Sequence, residues 1–109
     1  MTHQISLATA IDLTTRYRND HPSDYPICET FQLASILRLL STPGAAYLRI
    51  YYGLQSNGNM DAVLVAADKD NKDLIPSAGA STASDDDPPI LEDGFRCPPT
   101  CPPDSPLNS

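Results

Sequence analysis

The chain has no tryptophan and only two phenylalanines, so any core must come from aliphatic residues and from a share of the five tyrosines. Positive charge is scarce. Seven Lys and Arg stand against fourteen Asp and Glu, a formal net charge of −7. Nucleic acids and anionic membrane surfaces select basic patches, so neither is an expected partner. No apolar run approaches the roughly 20 residues that span a bilayer, which argues against membrane insertion. Met1-Thr2-His3-Gln4 brings no charged segment ahead of an apolar one, so a secretory signal is not expected and a cytoplasmic setting is. In that setting thiols usually stay reduced. Cysteine is sparse and odd in number: three residues cannot all enter a closed disulfide framework.

What is present divides into three parts. Residues 1–76 carry nearly balanced charge and patterned apolar positions, as expected of a small domain. Residues 77–89, Ser-Ala-Gly-Ala-Ser-Thr-Ala-Ser-Asp-Asp-Asp-Pro-Pro, have little to bury and are expected to form a flexible acidic linker. Residues 90–109 form a tail in which Cys97 and Cys101 are each followed by a Pro-Pro pair. Proline fixes φ and removes a donor, so the tail should be extended polyproline II or turns.

Within the first part, Leu7, Ala10, Ile11, Thr14 and Tyr17 recur at helical spacing behind Ser6, a favourable N-cap; this predicts a helix over 6–19. His21 to Pro26 breaks it. A second helix is predicted over roughly 29–41, with Leu33, Ile36, Leu37 and Leu40 as its apolar stripe; Ser41-Thr42-Pro43-Gly44 stops it. Ala46–Gln55 and Met60–Asp68 are rich in β-formers and flank Asn57-Gly58, a strong hairpin signal. A two-residue turn would set Tyr52 opposite Val63, Ile50 opposite Val65 and Leu48 opposite Ala67 on one apolar face. Tyr47, Arg49, Tyr51, Leu64 and Ala66 would then form the outer face. Asp68 to Asp73 reads as a polar turn, and Leu74-Ile75-Pro76 as a short return.

Cys28-Glu29-Thr30-Phe31, Leu48-Arg49-Ile50-Tyr51-Tyr52-Gly53, Ala62-Val63-Leu64-Val65, Asp93-Gly94-Phe95-Arg96-Cys97-Pro98-Pro99 and the closing Ser105-Pro106-Leu107-Asn108 form a set. The set resembles a group of short bacterial proteins with no assigned activity. The resemblance implies that hairpin and tail are real features. It implies no cofactor or catalytic residue.

Several constellations could carry chemistry. Cys28, Cys97 and Cys101 with His21 would supply three thiolates and an imidazole, a closed zinc set, although only one closely spaced cysteine pair exists. A disulfide between Cys28 and a tail cysteine is an alternative, and free thiols on a docked tail are the bland reading. In extended polyproline II, Cys97 and Cys101 would lie roughly 12 Å apart, so a turn at Thr100 is needed before their sulfurs can meet. Arg96-x-x-Pro99-x-x-Pro102 matches a polyproline docking pattern, with Tyr47, Tyr51 and Tyr52 as an internal alternative groove. Asp68, Asp70 and Asp73 miss the calcium-loop pattern, since Lys72 and Asp73 occupy positions that need an oxygen ligand and a glycine. For catalysis, only a Cys28–His21 pair offers a nucleophile and base, and no motif supports it, so no enzyme is expected.

The expected architecture is α+β: two helices packed on one face of an antiparallel hairpin, followed by an irregular Pro/Cys-rich tail. The expected role is a small non-enzymatic interaction or assembly module with a protein partner or a second copy. Its surface would be Tyr47, Arg49, Tyr51 and Leu64 together with Arg96, Pro99 and Pro102. The alternative is a zinc-binding or thiol redox-responsive protein using Cys28, Cys97 and Cys101.

Overall fold

The computed structural model describes residues 2–76 and 88–108. Most of the 77–89 linker therefore lies outside the described residues. The element order is α1 (Leu7–Asp20), β1 (Cys28–Thr30), α2 (Leu33–Leu40), β2 (Tyr47–Leu54), β3 (Met60–Ala67), β4 (Asp73–Leu74) and β5 (Phe95–Cys97). All pairing is antiparallel: β2-β3-β4 form one sheet and β1-β5 a second. The architecture is α+β. No helix among the described residues is long and apolar enough to cross a membrane.

Ser6 caps α1 as its sequence position suggests, its Oγ accepting the Thr9 N–H at 3.1 Å. Ala10, Ile11, Thr14 and Tyr17 are half-buried, but no residue of α1 is fully buried. The helix is held by single contacts. The Tyr17 hydroxyl donates to the Pro26 carbonyl at 2.6 Å, and Arg18 donates to the Leu107 carbonyl.

The hairpin forms where Asn57-Gly58 places it, with a register one residue from the expected one. The Gly58 N–H donates to Gln55 O and the Gln55 N–H to Asn59 O, so Ser56, Asn57 and Gly58 make a three-residue loop. Gly58 sits at φ 88°, the left-handed region this loop requires. Ile50 therefore faces Leu64, Tyr52 faces Ala62 and Leu48 faces Ala66. A one-residue slip exchanges the faces of one strand. Leu64 and Ala66, assigned to the outer face from sequence, belong instead to the core, with 4% and 0% exposure.

That core is small. Leu39 of α2, Leu64 and Ala66 are buried together, with Phe31, Ile36, Ala62, Leu74 and Leu91 packed around them. The helix thus turns Leu39 and Ile36 inward, while Leu33, Leu37 and Leu40 of the expected stripe remain exposed. Ser35 and Arg38 set the polar side of α2 opposite Leu33, Leu37 and Leu40, so the sequence points to that stripe, whereas the structure buries Leu39 beside it and leaves the stripe open. The polar turn before β4 closes as read: Asp68 Oδ1 accepts the N–H groups of Asp70 and Lys72 at 2.9 Å.

The C-terminal segment is part of this fold. Leu91 bridges Leu64 with hydrogen bonds of 2.8 and 2.9 Å, and β5 pairs with β1. Gly94 permits the approach, because a Cβ there would stand 2.8 Å from the Phe31 ring.

Candidate functional site

The pairing of Ile50 with Leu64 fixes where the backbone groups of β2 point. Leu64 spends its N–H and C=O on Leu91, so this rung is a non-hydrogen-bonded pair and the N–H and C=O of Ile50 point away from β3. By alternation the same holds for Leu48, Tyr52 and Leu54. Among the described residues these groups meet no hydrogen-bond partner. β2 is therefore an open edge of eight residues.

The side chains on that edge are apolar and uncovered. Tyr52 is 77% exposed and Leu54 68%, with Leu48 and Ile50 at 44% and 48%. They share the sheet face on which α2 packs, and α2 covers only the β3 half of it. Its own exposed Leu33, Leu37 and Leu40 extend the apolar surface. Scattered apolar residues are ordinary on a surface; a strand-long row beside an apolar helix is not.

The opposite face is finished differently. Arg49 donates to Asp73 and to the Asn71 side chain, and the Tyr51 hydroxyl donates to Asp73 at 2.6 Å. These side chains reach from β2 across β3 to β4, over Val65 and Ala67, which are 3% and 0% exposed. The Tyr51 hydroxyl beside Asp73 holds that carboxyl below its ordinary value, with Arg49 acting the same way. The same Asp73 contact pushes the Tyr51 hydroxyl up. Of the residues expected to form an interaction surface, Tyr47 is exposed, Arg49 and Tyr51 are engaged in this network, and Leu64 is in the core. Arg96 is engaged too, donating to Met60 O at 3.2 Å and Asp24 O at 2.9 Å. Pro99 and Pro102 are exposed.

The three cysteines converge at one end of the small sheet. Cys28 and Cys97 are register partners of β1 and β5. Cys97 is bonded to Cys101, with Cα atoms 4.5 Å apart, and Cys28 is free. Free tail thiols were the bland expectation, and a Cys28 bridge its alternative; the structure has neither. The reason is a chain reversal in which the Thr100 N–H donates to Arg96 O at 2.7 Å, the turn that an extended tail lacked. Cys97 is 1% exposed and Cys101 is exposed. His21 stacks on Tyr17 with ring centroids 4.9 Å apart, and its Nδ1 lies 3.1 Å from the Arg18 carbonyl oxygen. Two sulfurs of the suggested zinc set are thus bonded to each other here. Among the described residues no group of three or more His, Cys, Asp or Glu could hold a metal ion.

Beside Cys28 runs an open apolar cleft of about 250 Å³, walled by Tyr17, Ile27, Tyr52, Met60 and Glu29. Glu29 Oε1 accepts the Ala62 N–H at 2.9 Å, while its buried Oε2 has no partner. Burial pushes this carboxyl above its ordinary value, against the Ala62 hydrogen bond, and nearby Asp61 adds to the rise. Residues 24, 29, 60 and 91 thus meet around β3, a convergence that no local sequence signal announced. Compared with family models, with curated proteins and with solved structures, the chain matches none.

Proposed function

We propose that this chain is a non-enzymatic assembly module whose contact surface is the open β2 edge with its apolar row, and that the first partner of this edge is a second copy of the chain. The observation that carries the reading is the coincidence of unpaired backbone groups and uncovered apolar side chains on one strand. An edge of this kind is a template for another strand. A twofold axis normal to the sheet would pair β2 with β2 of the second copy in antiparallel fashion and keep both copies of α2 on the same face. Leu48, Ile50, Tyr52 and Leu54 would then lie in a trough between two α2 helices, facing their exposed leucines. The surface differs from the one expected from sequence. It uses the even-numbered side of β2, since Arg49 and Tyr51 are committed to Asp73.

Sedimentation velocity across a concentration series tests this reading. The wild-type chain should show a concentration-dependent shift from monomer to dimer. Tyr52→Lys should abolish the shift while leaving the circular dichroism spectrum unchanged, because Tyr52 is 77% exposed and its side chain supports no core. A wild-type chain that stays monomeric to millimolar concentration contradicts the proposal.

A further inference from the structure

The disulfide at the C-terminal end has an unusual neighbour. Cys28 is the only thiol left over, and it stands directly opposite Cys97 in the β1–β5 ladder. Opposed residues in an antiparallel pair have Cα atoms about 4.5 or 5.5 Å apart, and both values lie inside the window a disulfide accepts. Cys97 can therefore be bridged in two directions from one backbone position: along the chain to Cys101, or across the ladder to Cys28.

Exposure sets the direction of attack. Cys97 is 1% exposed, so a thiol in solution does not reach its sulfur. Cys28, half-buried, stands beside it as its partner on the neighbouring strand. Cys101 is exposed, so a sulfur leaving Cys97 there is taken up by water. An attacking thiol held next to a shielded central sulfur, with a solvated leaving group, is the arrangement that favours exchange within the chain.

We infer that Cys28, Cys97 and Cys101 form an internal thiol–disulfide exchange site in which one disulfide is shared among three sulfurs. In the step, the Cys28 thiol loses its proton to solvent and its thiolate attacks Cys97 Sγ. The Cys28–Cys97 bond forms as the Cys97–Cys101 bond breaks. Cys101 leaves as a thiolate and takes a proton from water. One disulfide and one thiol exist before and after, so no outside oxidant or reductant is consumed. The step frees Cys101, with the Pro102–Asn108 segment behind it, from its covalent anchor on β5. It also turns a solvent-facing disulfide into a solvent-facing thiol, the form that meets external disulfides or electrophiles. The mixed role of Cys97 is independent of whether β2 pairs with a second copy.

The test uses the full chain, equilibrated in a glutathione buffer, quenched in acid, alkylated and digested with trypsin. Cleavage after Arg18, Arg38 and Arg96 places Cys28 on residues 19–38 and both tail cysteines on residues 97–109. A Cys28–Cys97 bond joins these two peptides, and a Cys97–Cys101 bond does not. The wild type should give both species. Cys28→Ser should give only the looped tail peptide. Cys101→Ser should give the joined peptides within a single chain, under the same buffer and with an unchanged circular dichroism spectrum. The inference is overturned if Cys101→Ser is folded and its Cys28 and Cys97 are both alkylated, or if wild type yields only the looped peptide. Should Cys101→Ser fail to fold, the wild-type peptide ratio alone decides.

Discussion

The outer edges of β2 and β3 begin from the same hairpin and end in opposite states. On β3, four successive outward residues each meet a different partner. Met60 N–H points at Asp24 O (3.4 Å), Ala62 N–H at the Glu29 carboxylate, Leu64 at Leu91, and Ala66 at Leu74 of β4. Arg96 adds a donor to Met60 O. A backbone carbonyl, a carboxylate and Leu91 are recruited from distant parts of the chain, and the neighbouring β4 finishes the edge. On β2, Leu48, Ile50, Tyr52 and Leu54 have nothing comparable among the described residues. Both strands are apolar, so composition does not explain the difference. What separates them is that the described residues supply cover for the edge of β3 and none for that of β2. That is why β3 carries the core and β2 is the proposed contact surface.

The sharpest way to break the comparison is on a single rung. Ile50 and Leu64 face each other. Leu64→Ala should cost about 2–5 kcal/mol, as for a buried leucine. Ile50→Ala should cost about 1 kcal/mol or less in dilute solution, where half of that side chain is already in water. Urea midpoints for the two variants check this; equal losses would mean the edges are equally buried.

Next comes the closure itself. Leu91→Pro removes the N–H that Leu64 O accepts at 2.9 Å. A carbonyl left unpaired at the core should cost about 1–3 kcal/mol, read as a lower thermal midpoint. A Leu91→Ala control separates the lost hydrogen bond from the lost side chain.

Glu29 gives a smaller effect with a definite sign. Its folded value is raised, so the folded state binds more protons than the unfolded chain between the ordinary carboxyl value and the raised one. Wild-type stability should therefore fall as pH rises through that window. Glu29→Gln keeps an acceptor for the Ala62 N–H without a buried charge. It should flatten the pH dependence there and match or exceed wild type near neutrality. Urea titrations at several pH values compare the two; parallel pH profiles would contradict the burial of this carboxylate.

The smallest effect belongs to the exposed network. Asp73 is held low, so its contribution is present above the ordinary carboxyl value and lost as pH falls through the lowered one. Tyr51→Phe should weaken that acid-side loss and change little else, as expected of a surface interaction.

How much of this was legible follows the same division. The first helix, the body of the second and the hairpin announce themselves locally: Ser6 as a cap, apolar spacing, Asn57-Gly58 between β-rich runs. Glu29 and Thr30, read as the start of the second helix, are instead strand β1, drawn there by pairing with β5. The register was not legible, because a left-handed glycine serves both a two-residue turn and the three-residue loop seen here, and the two differ by one rung. That one rung moved Leu64 and Ala66 from surface to core. The closure of β3 was hidden for another reason. Apart from Leu74, eight residues on from Ala66 and read from sequence as a short return, its partners lie 27 to 36 residues away, in short segments such as Cys28–Thr30 and Leu91 that carry no periodicity. The cysteine cluster depends on the same long-range pairing, plus a reversal at Thr100 that proline content alone does not specify. The open β2 edge could be named only once its neighbour's far side was known to be filled.

Residue-resolved amide hydrogen exchange at low and high protein concentration tests the two-edge account most directly. The amides of Ala62 and Leu64 should be protected at both concentrations, since their partners are within the chain. The amides of Leu48, Ile50, Tyr52 and Leu54 should exchange freely when dilute and become protected as copies pair. If those four amides exchange equally fast at every concentration, the self-pairing of β2 is contradicted; if they are protected even when dilute, the edge is not open.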